Sequence, residues 1–85
     1  MTTAEIIRDL VGKHGKLPVD VATLGDDSDL YTAGLSSFAS VQLMLALEEQ
    51  FDIEFPETML KRATFASIRA IADAVDSIVR DQAAA

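Results

Sequence analysis

At 85 residues the chain has room for one domain and little for a deep, walled-off catalytic cleft. Its 49% apolar and 25% charged residues are a globular balance, and without cysteine it has no disulfide, no thiolate nucleophile and no Cys-ligated metal. Fourteen acids against seven bases, a net charge of −7, argue against nucleic acid or an anionic membrane surface as a partner, because both are held by clustered Lys and Arg.

The start, Met1-Thr2-Thr3-Ala4-Glu5, has no basic stretch of the signal-peptide kind, so the cytoplasm is the expected location. A first helix is predicted over Thr3 to His14, with Ile6, Ile7, Leu10 and Val11 on one face, Thr3 as its cap and Gly15 near its end. Residues 16–35 read as a long loop. Its Leu17, Val21, Leu24, Leu30 and Leu35 predict that it packs down rather than dangles. A second helix is predicted over Ser37 to Phe51 behind Ser36 as N-cap, and a short third one from Pro56 to about Arg62. The fourth is expected to start at a Thr64 cap and run to about Arg80, with Ile68, Ile71, Ala72, Val75, Ile78 and Val79 as its inner stripe. Only Phe51-Asp52-Ile53-Glu54-Phe55 alternates with a period of two, and five residues make no sheet alone. The fold class is therefore all-α: a small four-helix bundle with a long loop between its first and second helices. Residues 1–80 read as a single domain and 81–85 as a frayed tail. The longest apolar run, Val41 to Leu47, is interrupted by Gln42 and is far too short to cross a membrane.

Charge is unevenly spread. From Leu17 to Leu60 there are nine acids and no Lys or Arg, and all seven bases lie outside that stretch. Such a one-signed middle attracts a basic patch on another protein, although a solvated acidic surface would look the same.

The second helix has more apolar residues than one core can use. At about 100° per residue, Ala39, Leu43, Ala46, Leu47 and Phe51 share one side, while Phe38, Val41 and Leu45 lie opposite, beside Glu48 and Glu49. The second strip reads as a docking surface rimmed by carboxylates; the alternative is that the long loop folds over it. Ser37 stands at the tip of this helix, where unpaired N–H groups and the helix dipole favour a phosphate ester. On the residues alone, a mere capping pair is the favoured reading of Ser36 and Ser37.

The segment from Asp29 through Gly34-Leu35-Ser36-Ser37-Phe38, the apolar helix ending Leu47-Glu48-Glu49-Gln50-Phe51 and the step to Pro56 resembles an acyl carrier protein, with Thr64-Phe65-Ala66-Ser67-Ile68 matching the opening of that family's last helix. The resemblance implies a bundle of acyl-carrier type. It also implies 4′-phosphopantetheine, donated by coenzyme A through a phosphopantetheinyl transferase and attached to Ser37, with cargo carried as a thioester on the arm's thiol. The family's Asp before the serine is Ser36 here and its following Leu is Phe38; positions 39 and 42, often acidic in fatty-acid carriers, are Ala39 and Gln42. The Gly-Leu-Ser-Ser-Phe form is more similar to stand-alone carriers of amino acids, loaded by amino acid:carrier-protein ligases. That implies such a ligase and a downstream acyl or aminoacyl acceptor enzyme as partners, meeting the chain at Ser36, Phe38, Val41, Gln42, Leu45, Glu48 and Glu49. A fatty-acid or polyketide carrier and an unmodified helical interaction module are the alternatives.

No catalytic residue is expected. His14 is the sole histidine, at a helix end, and no spacing marks it as part of a triad. The acidic loop fails the calcium-loop pattern, with Tyr31, Thr32 and Phe38 where ligands and a glycine are needed, so no metal is expected. A monomer is expected.

Overall fold

The computed structural model describes residues 2–84. It contains four α-helices: α1 (Thr3–His14), a one-turn α2 (Leu30–Ala33), α3 (Ser37–Phe51) and α4 (Ile68–Ala84), with no strand among the described residues. The helix predicted second in the sequence is thus α3. The long loop contains α2 and a 3-10 turn, Val21–Thr23.

Each helix starts where its side chains can satisfy its own first N–H groups. At α1 the cap is Thr2 rather than the expected Thr3: Thr2 Oγ1 accepts from Glu5 N–H, and the Glu5 carboxylate accepts from Thr2 N–H. Only the earlier threonine has a glutamate three residues on. α3 begins as predicted, with Ser36 Oγ accepting from Ala39 N–H at 3.0 Å. It ends where Asp52 adopts a left-handed conformation, φ 53°.

The C-terminal half departs from expectation at three points. The short third helix is two 3-10 turns, Glu57–Met59 and Arg62–Phe65, not one run from Pro56 to Arg62. Thr64 is no cap; it is buried in the second of these turns. Ser67 caps α4 instead, accepting from Ala70 N–H at 3.0 Å. α4 continues past Arg80 to Ala84, so most of the segment expected to fray is helical; Ala85 lies outside the described residues.

α1 packs against α3 and α4. Ile7 and Val11, Leu43 and Leu47, and Ile68, Ile71 and Val75 meet in the centre. Leu30 and Leu35 are buried with them, so the long loop closes one end of the core. The alternating run forms no strand: Phe51 ends α3 and Asp52 is left-handed, while Ile53 and Phe55 are buried and Glu54 is exposed. The Phe55 and Phe65 rings pack at 5.3 Å and fix the 3-10 segment to the bundle.

Two of the bases outside the acidic stretch reach back into it. Arg8 of α1 donates to the carbonyls of Val21 and Leu24 and pairs with Asp26 at 2.7 Å. Arg69 of α4 pairs with Asp27, and its backbone N–H donates to Asp26 O. Asp20 and Asp29 cap the loop's own short helices. Much of the acidic loop is therefore used inside the fold. The open acids gather at the far end of α3 and beyond it, at Glu49, Asp52, Glu54 and Glu57.

Candidate functional site

The tip of α3 is set by the turn before it. Gly34 has φ +122°, a conformation that L side chains rarely adopt, and a Cβ there would lie 2.6 Å from Pro18 Cδ. The Leu30 carbonyl accepts from Leu35 N–H, and Leu35 is buried. This holds Ser36 and Ser37 at the surface.

The two serines have different tasks. Ser36 Oγ makes the capping bond. Ser37 is exposed; its carbonyl accepts the Ser40 hydroxyl at 2.7 Å, and its own Oγ has no hydrogen-bond partner among the described residues. The first turn of α3 holds no acid, so nothing there opposes a negative charge at its N-terminus. Ser37 is an accessible alcohol, and no His, Asp or Glu among the described residues hydrogen-bonds its hydroxyl to activate it for turnover.

The expected docking residues fall on one outward face. Phe38 is 67% exposed, Val41 51% and Leu45 52%, whereas Leu43 and Leu47 on the opposite side are fully buried. The long loop does not cover this strip. Gln42 and Glu49 are exposed beside it, and Ser36 lies at its N-terminal end. Glu48 differs from the others: it is half-buried, and its carboxylate accepts Phe55 N–H at 2.8 Å.

Sequence reasoning missed a groove of about 340 Å³ that opens beside Ser37. α3 contributes Ser37, Ser40, Val41 and Met44 to one wall. Tyr31 and the 3-10 segment residues Leu60, Lys61, Arg62 and Phe65 make the rest. The Tyr31 hydroxyl donates to Arg62 O at 3.1 Å, and the Arg62 guanidinium stacks 3.9 Å from the Tyr31 ring centroid. Burial pushes the Tyr31 phenol up, with Arg62 pulling the other way. The signal available in the sequence was Lys61-Arg62, its sole adjacent pair of bases.

A family model described as "Phosphopantetheine attachment site" matches residues 5–75. An aminoacyl carrier protein of Agrobacterium fabrum is 58% identical over 79 residues, covering 93% of this chain and 95% of that protein. A carrier protein from Agrobacterium tumefaciens, seen in a crystal structure with an engineered Bradyrhizobium japonicum glycine:carrier protein ligase and ATP, is 57% identical with a TM-score of 0.88, covering 91% of this chain and 100% of that one. The solution structure of a holo acyl carrier protein from Nitrosomonas europaea is 28% identical, with a TM-score of 0.81 over 94% of this chain and 99% of that one.

The residues present fit the group this family carries. Ser37 offers a free, exposed hydroxyl, the groove leaves room beside it, and Lys61 and Arg62 lie on the groove's wall with no ion pair among the described residues. With its matched span, its bundle and its open serine at the tip of α3, the chain belongs to the phosphopantetheine-attachment family, whose members carry 4′-phosphopantetheine and act as carriers rather than catalysts.

Proposed function

We propose that this chain is an aminoacyl carrier and that Ser37 is its attachment point. The observation that carries the reading is the division of labour at the tip of α3: Ser36 does the capping, which leaves the Ser37 hydroxyl free and exposed. In the transfer from coenzyme A, Ser37 Oγ forms a phosphodiester by displacing the adenosine bisphosphate at phosphorus. Its proton passes to a base of the transferase, since the carrier has none at the site. When bound, phosphopantetheine supplies a flexible tether ending in a thiol that holds cargo as a thioester.

The chain's own residues present that tether. Residues 1–80 act as one carrier domain in the cytoplasm. A phosphopantetheinyl transferase, an amino acid:carrier-protein ligase and a downstream acceptor enzyme meet it in turn. Phe38, Val41 and Leu45 supply apolar contact to each. Ser36 and Gln42 keep the approach to Ser37 neutral, and Glu49, with Glu48 behind it, steers. Such binding is weak and quickly reversed, because one carrier visits several enzymes. The named relatives, an aminoacyl carrier and a carrier in complex with a glycine ligase, support an amino acid as cargo, with glycine the first to test.

The test is intact mass after incubation with coenzyme A and a broad-specificity transferase, then with a glycine:carrier protein ligase, ATP and glycine. The expected result is one phosphopantetheine increment, absent in Ser37→Ala, followed by one glycyl increment. Failure of the first step overturns the Ser37 assignment; its success without the second, across a panel of amino acids, overturns the aminoacyl reading.

A further inference from the structure

A net charge of −7 makes this chain a partner for a basic surface, yet the rim of its apolar strip carries both signs. Arg8, Lys13 and Arg69 pair with acids of the chain, whereas Lys61 and Arg62 form no ion pair among the described residues. Both are exposed, and both line the groove with Ser40 and Val41 of α3. The backbone fixes their place: Lys61 N–H donates to Met59 O, Lys61 O accepts from Thr64 N–H, and Arg62 O accepts the Tyr31 hydroxyl. The Arg62 guanidinium is drawn back onto the Tyr31 ring, which leaves Lys61 as the outward cation. Leu60, beside it, is 50% exposed, as open as Val41 and Leu45, and shares the groove's rim with Val41. The apolar strip therefore does not end at α3; it crosses to the 3-10 segment and meets a base there.

Resting on the aminoacyl-carrier reading, we propose that Leu60 and Lys61 are a second docking contact, and that the ligase loading this carrier presents a carboxylate to Lys61 as well as a base to Glu49. A rim of one sign draws a partner in without fixing how it lands, whereas opposite signs at two places fix its register. Val41 and Glu49 stand about 12 Å apart along α3 at 1.5 Å per residue. That exceeds the screening length of ~8 Å at physiological salt, so the two charges act as separate contacts. Their order sets the orientation: the base lies beside the Ser37 end of α3 and the acid at the far end. An enzyme docked the wrong way round meets like charges at both places.

One variant separates this contact from steering by net charge. Lys61→Glu makes the chain more acidic, so net charge alone would speed loading, whereas a carboxylate facing Lys61 slows it. Tether-bearing protein, checked by intact mass, is loaded by a glycine:carrier protein ligase with ATP and glycine at low and high salt. The expected result for Lys61→Glu is a fall in kcat/KM of about fivefold at low salt, the upper scale of one exposed charge pair. The fall should shrink at high salt, and Lys61→Arg should stay near the wild type. Ligase added to Ser37→Ala, which has no tether, should shift the amide NMR signals of Leu60 and Lys61 together with those of Phe38 and Val41. Lys61→Glu loaded as fast as the wild type or faster, or Leu60 and Lys61 signals that stay in place, would overturn the proposal. A wild type that takes the tether but no amino acid overturns the aminoacyl reading instead, and this proposal with it.

Discussion

Glu48, in the last turn of α3, accepts the backbone N–H of Phe55 at 2.8 Å, so one of the two carboxylates expected to steer partners also holds the chain as it leaves that helix. Glu48→Ala leaves the part-buried N–H without its partner and is expected to cost about 1–2 kcal/mol in denaturant unfolding. Glu48→Gln keeps an acceptor and should lose less. Glu49 is exposed, and Glu49→Ala should stay within about 0.5 kcal/mol of the wild type. Steering is therefore cleanly tested at Glu49. Glu49→Lys should slow ligase loading more at low salt than at high salt, and equal slowing at both would remove steering.

The two apolar faces of α3 separate in the same way. Phe38→Ala should leave stability nearly unchanged and weaken partner binding. Leu43→Ala or Leu47→Ala, both fully buried, should cost about 2–5 kcal/mol. Thermal unfolding beside loading kinetics checks both, and a large fall in Tm for Phe38→Ala would assign that ring to the core.

Gly34→Ala meets two obstacles at once. Its φ of +122° strains any side chain, and the new Cβ would press to 2.6 Å of Pro18 Cδ. The expected cost is about 1–3 kcal/mol. Combining it with Pro18→Ala should recover only the contact portion, because the backbone strain stays. Full recovery would show that crowding alone makes this position a glycine.

Asp29 is held below the ordinary aspartate range, chiefly by the Thr32 hydroxyl and then by the N–H groups of Thr32 and Tyr31. Its folded value is depressed, so its contribution is present above the unfolded-state value and is lost as pH falls through the folded one. A carboxyl-detected titration should place its midpoint below that of an unfolded-chain aspartate. Thr32→Val should raise that midpoint, and Asp29→Asn should make α2 less sensitive to acid. An unmoved midpoint in Thr32→Val would remove the hydroxyl as the leading cause.

Features written in local spacing were legible in the sequence. The bounds of α1 and α3, the Ser36 cap and most of the inner faces follow from caps and a 3.6-residue period, which need no knowledge of the fold, although Val79, read as part of the last helix's inner stripe, is exposed. The same logic misplaced two caps. Thr2 wins over Thr3 because Glu5 reciprocates, and Ser67 wins over Thr64 because the core takes Thr64 first. What stayed hidden depends on distant pairings: Tyr31 with Arg62, Arg8 with Asp26, Arg69 with Asp27. No pattern within a short window encodes these, so the groove beside Ser37 and the internal use of the acidic loop became visible only in three dimensions.

Arg69 grips the acidic loop from α4, with its side chain on Asp27 and its backbone N–H on the Asp26 carbonyl, some forty residues downstream of the segment it fixes. During synthesis, then, these two contacts cannot form until residue 69 has emerged, so the acidic loop gains its anchor on α4 late.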